Sequence, residues 1–248
     1  MKNRKVLLVG VSWRLGAALA YALLKGGARV AIAARNVERL REIANSFSSI
    51  GQLEVVQGDA STDEGSKLIA RRACEALEGI DDLAVTIGAF TPDSTKDLGA
   101  LDEMVRTNLV SPLRMVSAAL PYLHYGISVV LATSISSFLS EKEQISYSVA
   151  KAALNKAVEL MALELLDSGI RVNGVAPGVI GGTFSPNGVQ AERKLGELEA
   201  PPEYYASVLL WLLSDGSRWV NGVVIPVDGG YRLKGGSGRD FLGQPTRL

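Results

Sequence analysis

Short, wholly apolar runs alternate with longer amphipathic stretches along most of this chain. The runs at 5–9, 29–34, 53–57, 83–87, 127–132, 170–175 and 223–227 are rich in Val, Ile, Leu and Ala. Such runs fit strands buried on both faces better than strands with one wet face. Between them, apolar residues recur at helical spacing over 15–25, 37–47, 62–77, 100–122, 145–166 and 202–213. Gly26-Gly27 stops the first of these helices. Strand and helix in alternation predict a parallel sheet covered on both faces. Seven strands, not the eight that close a (β/α) barrel, favour an open, doubly wound Rossmann sheet. Its ligand crevice is expected at the carboxyl ends of the strands. One α/β domain over 1–233 is predicted, with an irregular insertion at 177–202 and a tail at 234–248. The tail is Gly-rich and polar at first, and is either disordered or docked on a partner subunit.

Composition narrows what such a sheet serves. Of 248 residues, 47% are hydrophobic, enough for a large core. A formal net charge of zero argues against attraction to nucleic acid or an anionic membrane. It also does little to oppose self-association, which favours a homo-oligomer, a dimer or tetramer. One cysteine, Cys74, and one histidine, His124, allow no intramolecular disulfide and no His/Cys metal cluster. A reducing cytoplasm suits that cysteine usage. No apolar run reaches the length of a membrane span, and the first is too short for a signal-peptide core.

Two junctions carry candidate chemistry. Between the first strand and helix stands Val9-Gly10-Val11-Ser12-Trp13-Arg14-Leu15-Gly16. Small residues here let backbone approach a pyrophosphate, and a helix N-terminus offers free N–H groups and partial positive charge. Read alone, the stretch serves an ordinary strand–helix turn equally well. The second strand ends Ala33-Ala34-Arg35, where NAD sites often place a carboxylate for the adenosine ribose. A guanidinium suits the 2′-phosphate of NADP instead, and Ser12 and Arg14 stand near enough in sequence to join it. Arg35 is otherwise a solvated charge heading a helix that also carries Arg39 and Arg41. Asp59, followed by Ala60 after the third strand, is placed to accept from an adenine amino group or to cap the next helix.

The second junction is Tyr147-Ser-Val-Ala-Lys151, with Ser134 upstream at the end of an apolar run. Four residues apart on a helix, Tyr147 and Lys151 share a face. An ammonium beside a phenol favours the phenolate and lowers its pKa from about 10. Such a phenol gives or takes the proton of a substrate oxygen, and the Ser134 hydroxyl is placed to polarise that oxygen. Singly, each residue reads as structural; together they describe proton transfer beside a bound dinucleotide.

These residues, with Asn108 in Arg106-Thr107-Asn108-Leu109, Pro177-Gly178 and Val227-Asp228-Gly229-Gly230, resemble the short-chain dehydrogenase/reductase family over about 5–231. Within it, the chain is similar to the 3-oxoacyl-[acyl-carrier-protein] reductases. The resemblance implies a seven-stranded Rossmann sheet, an NADP(H) cofactor favoured over NAD(H), and a small-molecule carbonyl or alcohol substrate. It implies a tetrad of Asn108, Ser134, Tyr147 and Lys151, with Tyr147 as acid/base and Ser134 orienting the substrate oxygen. Lys151 would bind the nicotinamide ribose, and Asn108, at a local break in its helix, would hold a water as a proton relay. Gly10, Ser12, Trp13, Arg14, Leu15, Gly16, Arg35, Asp59, Ala60, Gly88, Pro177, Gly178, Val179 and Thr183 join Tyr147 and Lys151 as the implied cofactor contacts. Thr183 stands one residue further along than the family pattern expects. Many members are tetramers built through the fourth and fifth helices.

Two positions depart from the family. Arg14, preceded by Trp13, replaces the middle glycine of the first turn, which implies either strain at positive φ or a guanidinium placed over the phosphates. Thr86-Ile87-Gly88-Ala89 replaces Asn-Asn-Ala-Gly, with loss of the Asn link between neighbouring strands. These departures keep a second reading open, a non-catalytic dinucleotide-binding sensor or scaffold. The stretch 181–200 corresponds to the substrate lid and reads as a mobile loop. Tyr231 and the tail lie within reach of a neighbouring subunit's site.

Overall fold

The structure, a computed structural model, describes residues 1–187 and 192–234. Part of the lid stretch, including Gly188, and nearly all of the tail lie outside them. The main sheet holds seven parallel strands in the order β3-β2-β1-β4-β5-β6-β9. They are β1 (Lys5–Val9), β2 (Arg29–Ala34), β3 (Leu53–Gln57), β4 (Asp82–Val85), β5 (Ser128–Ala132), β6 (Arg171–Pro177) and β9 (Val224–Val227). Strand order reverses between β1 and β4, so a crevice opens at their carboxyl ends.

Alternating side chains explain why the strands carry no polar face. Val6 and Leu8 of β1 pack against α1 (Leu15–Lys25), α2 (Val37–Ser46) and α7 (Pro202–Leu213). Leu7 and Val9 face the other way, against α3 (Asp63–Leu77), α5 (Ser111–Ala119) and α6 (Ile145–Glu164). Asn36 and Thr62 cap α2 and α3 by accepting from Arg39 N and Gly65 N. No side chain caps α1.

The amino ends of the strands are laced with charge. Arg4 donates from Nε and Nη2 to Asp82 at 2.9 and 2.6 Å, and Asp82 also accepts from Ser128 N at 3.1 Å. Arg171 donates to Ser217 Oγ and to the carbonyls of Val220, Leu212 and Ser214.

Beyond shifts of one or two residues at element ends, the elements differ from expectation in three places. Residues 86 and 87 leave the sheet, and β4 ends at Val85. The helix expected over 100–122 divides into α4 (Leu101–Val105), a π-helical turn at Arg106–Val110, α5, and a 3₁₀ turn at Leu120–Tyr122. A widened turn of this kind follows from tertiary contacts that hydrophobic spacing does not record. The insertion expected to be irregular holds a short parallel pair, β7 (Val179–Ile180) with β8 (Glu199–Ala200). Tyr205 of α7 supports it by donating to Val179 O at 2.9 Å.

Candidate active site

Two confluent hollows of about 360 and 300 Å³ form one groove across the carboxyl ends of the strands. They share Gly10, Ser12 and residues 86–89. Volumes of this size suit small-molecule sites.

Glycine makes the floor. Gly10 has φ +91°, and a Cβ there would lie 2.6 Å from Ile87 N. That is closer than real atoms approach, so only glycine permits this crossing of backbones. Beside it, Thr86 Oγ1 donates to Val9 O and Gly10 O at 3.1 and 3.3 Å. The interstrand link expected to be lost with the Asn pair is therefore supplied by a hydroxyl. A Cβ on Gly88 would sit 3.4 Å from both Asn108 Oδ1 and Lys151 Nζ, inside the cradle. The groove thus offers bare backbone and an uncapped helix start where a pyrophosphate and ribose need close approach, and its residues fit a dinucleotide.

At the first hollow Ser134, Tyr147 and Lys151 converge with Pro177, Gly178 and Val179. Ser134 lies two residues past β5 and caps the 3₁₀ turn at Ile135–Ser137, while Tyr147 and Lys151 share one face of α6. Lys151 is 2% exposed, and its Nζ donates to Ala132 O and Ile87 O at 3.1 and 3.4 Å. Burial pushes its pKa down to about 7. Its nitrogen lies 6.0 Å from the Tyr147 ring centroid. Burial raises the Tyr147 phenol, and a hydrogen bond with Ser134 opposes that rise. The expected lowering of the phenol by the ammonium is not observed: desolvation dominates both groups. Asn108 lies in the π-helical turn, fully buried, with both ends of its amide on one neighbour. It accepts from Ala89 N at 3.2 Å and donates to Ala89 O at 2.9 Å. It stands behind the groove wall rather than on it, and shapes the 88–89 backbone.

The second hollow collects Arg35, Asp59 and Ala60 with Ser12. Desolvation raises the Asp59 carboxyl, but hydrogen bonds from Ser61 and the charges of Arg35 and Arg106 outweigh it and hold Asp59 below its usual value. Arg39, which the sequence placed among solvated charges, lines this hollow beside Arg35.

Leu15, Gly16 and Arg14 line the first hollow, but two expected contacts, Trp13 and Thr183, sit elsewhere. Trp13 packs edge-on to Phe47 at 6.2 Å, on the core side of the turn. Thr183 is exposed and outside the groove lining; its neighbour Phe184 is buried instead. Arg14 has φ −119°, so no left-handed strain arises. Its guanidinium donates to Ile180 O, and to Gly182 O at 3.3 Å, which directs the fork at the end of β7 and the residues just past it. Sequence reasoning passed over Phe90, whose ring meets Tyr147 edge-on at 5.3 Å and 78°. Nothing in its local pattern distinguishes it from any loop aromatic.

The family model described as enoyl-(acyl carrier protein) reductase matches residues 10–232. A 7alpha-hydroxysteroid dehydrogenase of Clostridium sardiniense is 31% identical, over 92% of this chain and 94% of the relative. A rhamnolipids biosynthesis 3-oxoacyl-[acyl-carrier-protein] reductase of Pseudomonas aeruginosa is 26% identical, over 94% of this chain and 98% of the relative. Among solved structures, a short chain dehydrogenase of Burkholderia cenocepacia in complex with NADP is 25% identical with TM-score 0.82. That match covers 93% of this chain and 98% of the other.

Proposed function

The chain belongs to the short-chain dehydrogenase/reductase family, and from that premise we propose that it is an NADP(H)-dependent carbonyl reductase or alcohol dehydrogenase. The observation that carries this reading is the convergence of Ser134, Tyr147 and Lys151 on one hollow of a groove floored by Gly10 and Gly88. When bound, the nicotinamide supplies or accepts the hydride. Tyr147 donates the proton to the oxygen of a carbonyl undergoing reduction, or takes it back in the reverse direction. Ser134 steadies that oxygen with its hydroxyl. Lys151 holds the ribose hydroxyls and passes a proton toward Tyr147. Asn108 fixes the backbone that shapes the ribose seat.

Arg35 supports NADP over NAD, because with Arg39 it lines the second hollow, and two guanidiniums there suit a 2′-phosphate. Phe90, Ile135, Val179 and Ile180 line the first hollow and favour an apolar group beside the reacting carbonyl. Exposed Val149, Leu160 and Leu163 on α6 support assembly as a homo-oligomer. The negative φ of Arg14 and the Thr86 link weaken the two reasons for a non-catalytic reading. The test is a titration with NADPH and NADH, followed by nicotinamide absorbance with a panel of ketones and 3-oxoacyl thioesters. Tight NADPH binding with turnover is expected. Proven binding without turnover on a broad panel overturns the enzymatic reading.

A further inference from the structure

Two carbonyls, that of Ile180 at the end of β7 and that of Gly182 just after it, accept from Arg14. Two residues on, Phe184 N donates to Trp13 O at 2.7 Å. The Phe184 ring is 6% exposed and packs with Tyr21 at 5.2 Å and Phe47 at 5.9 Å. Trp13 meets Phe47 from another side. Residues 180–184 are therefore fastened to the first turn at both ends, by a polar fork at one and an aromatic anchor at the other. Ile180, which starts this segment, and Val179 before it line the hollow that holds Tyr147.

We propose that Arg14 is a positioning residue that holds the segment 180–184 over the reacting end of the groove, not a ligand of the cofactor phosphates. Arg suits the task because its planar fork serves two acceptors at once, which the single ammonium of Lys does less well. The proposal rests on the groove being a dinucleotide site only for its kinetic consequence. The tie between turn and segment stands independently of the cofactor.

Hydrogen exchange read by mass spectrometry over 179–187, in wild type, Arg14→Gly, Arg14→Lys and Phe184→Ala, tests it, beside NADPH titrations and steady-state kinetics. Arg14→Gly is expected to speed exchange in 179–187 by about 3- to 10-fold, the effect of one or two exposed hydrogen bonds, and to leave β4 and β5 unchanged. The KM for a carbonyl substrate rises, and the dissociation constant for NADPH stays within about 2-fold. Arg14→Lys behaves more like Gly than like Arg. Unchanged exchange in Arg14→Gly overturns the proposal. So does a loss of NADPH affinity of about 10-fold that Arg14→Lys restores, since that outcome marks a charge acting on phosphate. A wild type that binds no nucleotide, with faster exchange in Arg14→Gly, refutes the function and leaves the tie standing.

Discussion

The two ends of the sheet bury charge in opposite ways. At the amino ends, Asp82 is fully buried yet receives a two-pronged grip from Arg4 and a backbone N–H from Ser128. Burial still pushes Asp82 up to about 6, and Arg4 is raised by its hydrogen bond to Asp82. At the carboxyl ends, Lys151 is as deeply placed, but its hydrogen-bond partners are neutral carbonyls. The paired end is built to join β1, β4 and β5. At the carboxyl ends the Lys151 nitrogen has no charged partner among the described residues, and burial disfavours its ammonium form. A buried ion is weak evidence for stability, and its partners decide what it is for.

The contrast breaks or sharpens under substitution. Tyr147→Phe is expected to lower kcat by about 10³-fold, with NADPH affinity and melting temperature near wild type, in parallel kinetic and thermal scans. Asp82→Ala should do the reverse. It leaves Arg4 without its carboxylate and costs about 2–3 kcal/mol in denaturant unfolding, while turnover per folded molecule holds. Arg35→Ala should weaken NADPH by about 10-fold and leave NADH unchanged, read by calorimetry.

The smallest effect is a pH slope. The folded pKa of Lys151, about 7, lies below its usual 10.5. Between those values the unfolded chain holds a proton that the folded chain has released, so stability rises with pH. Asp82, raised from 3.8 to about 6, gives the opposite slope, with stability falling as pH climbs through that window. Lys151→Met should flatten the first slope, on the order of 1 kcal/mol per pH unit, and Asp82→Ala the second. Unfolding curves at a series of pH values check both.

Much of the fold was legible in the chain, because strands buried on both faces print their limits as apolar runs. The bounds of β1, β2, β3, α1 and α7 agree with the spacing residue for residue. The break in the helix at Asn108 was legible only through the family resemblance; hydrophobic spacing carries no trace of the π-helical turn there or of the bonds its amide makes to Ala89. Composition could not say which way Trp13 and Arg14 would turn: the indole goes to the Phe47 cluster, and the guanidinium to carbonyls far along the chain. Spacing along a helix placed Tyr147 and Lys151 on one face correctly. It could not weigh their burial, which reverses the expected shift of the phenol.

The most direct test of the central claim follows a label. The protein is mixed with NADPH deuterated at the transferable position of nicotinamide C4 and with a ketone that it turns over, and the product is read by mass spectrometry. The account predicts one deuterium on the carbinol carbon with wild type, and about 10³-fold slower transfer with Tyr147→Phe. Bound NADPH that never passes its label, or transfer at the wild-type rate by Tyr147→Phe, would contradict it.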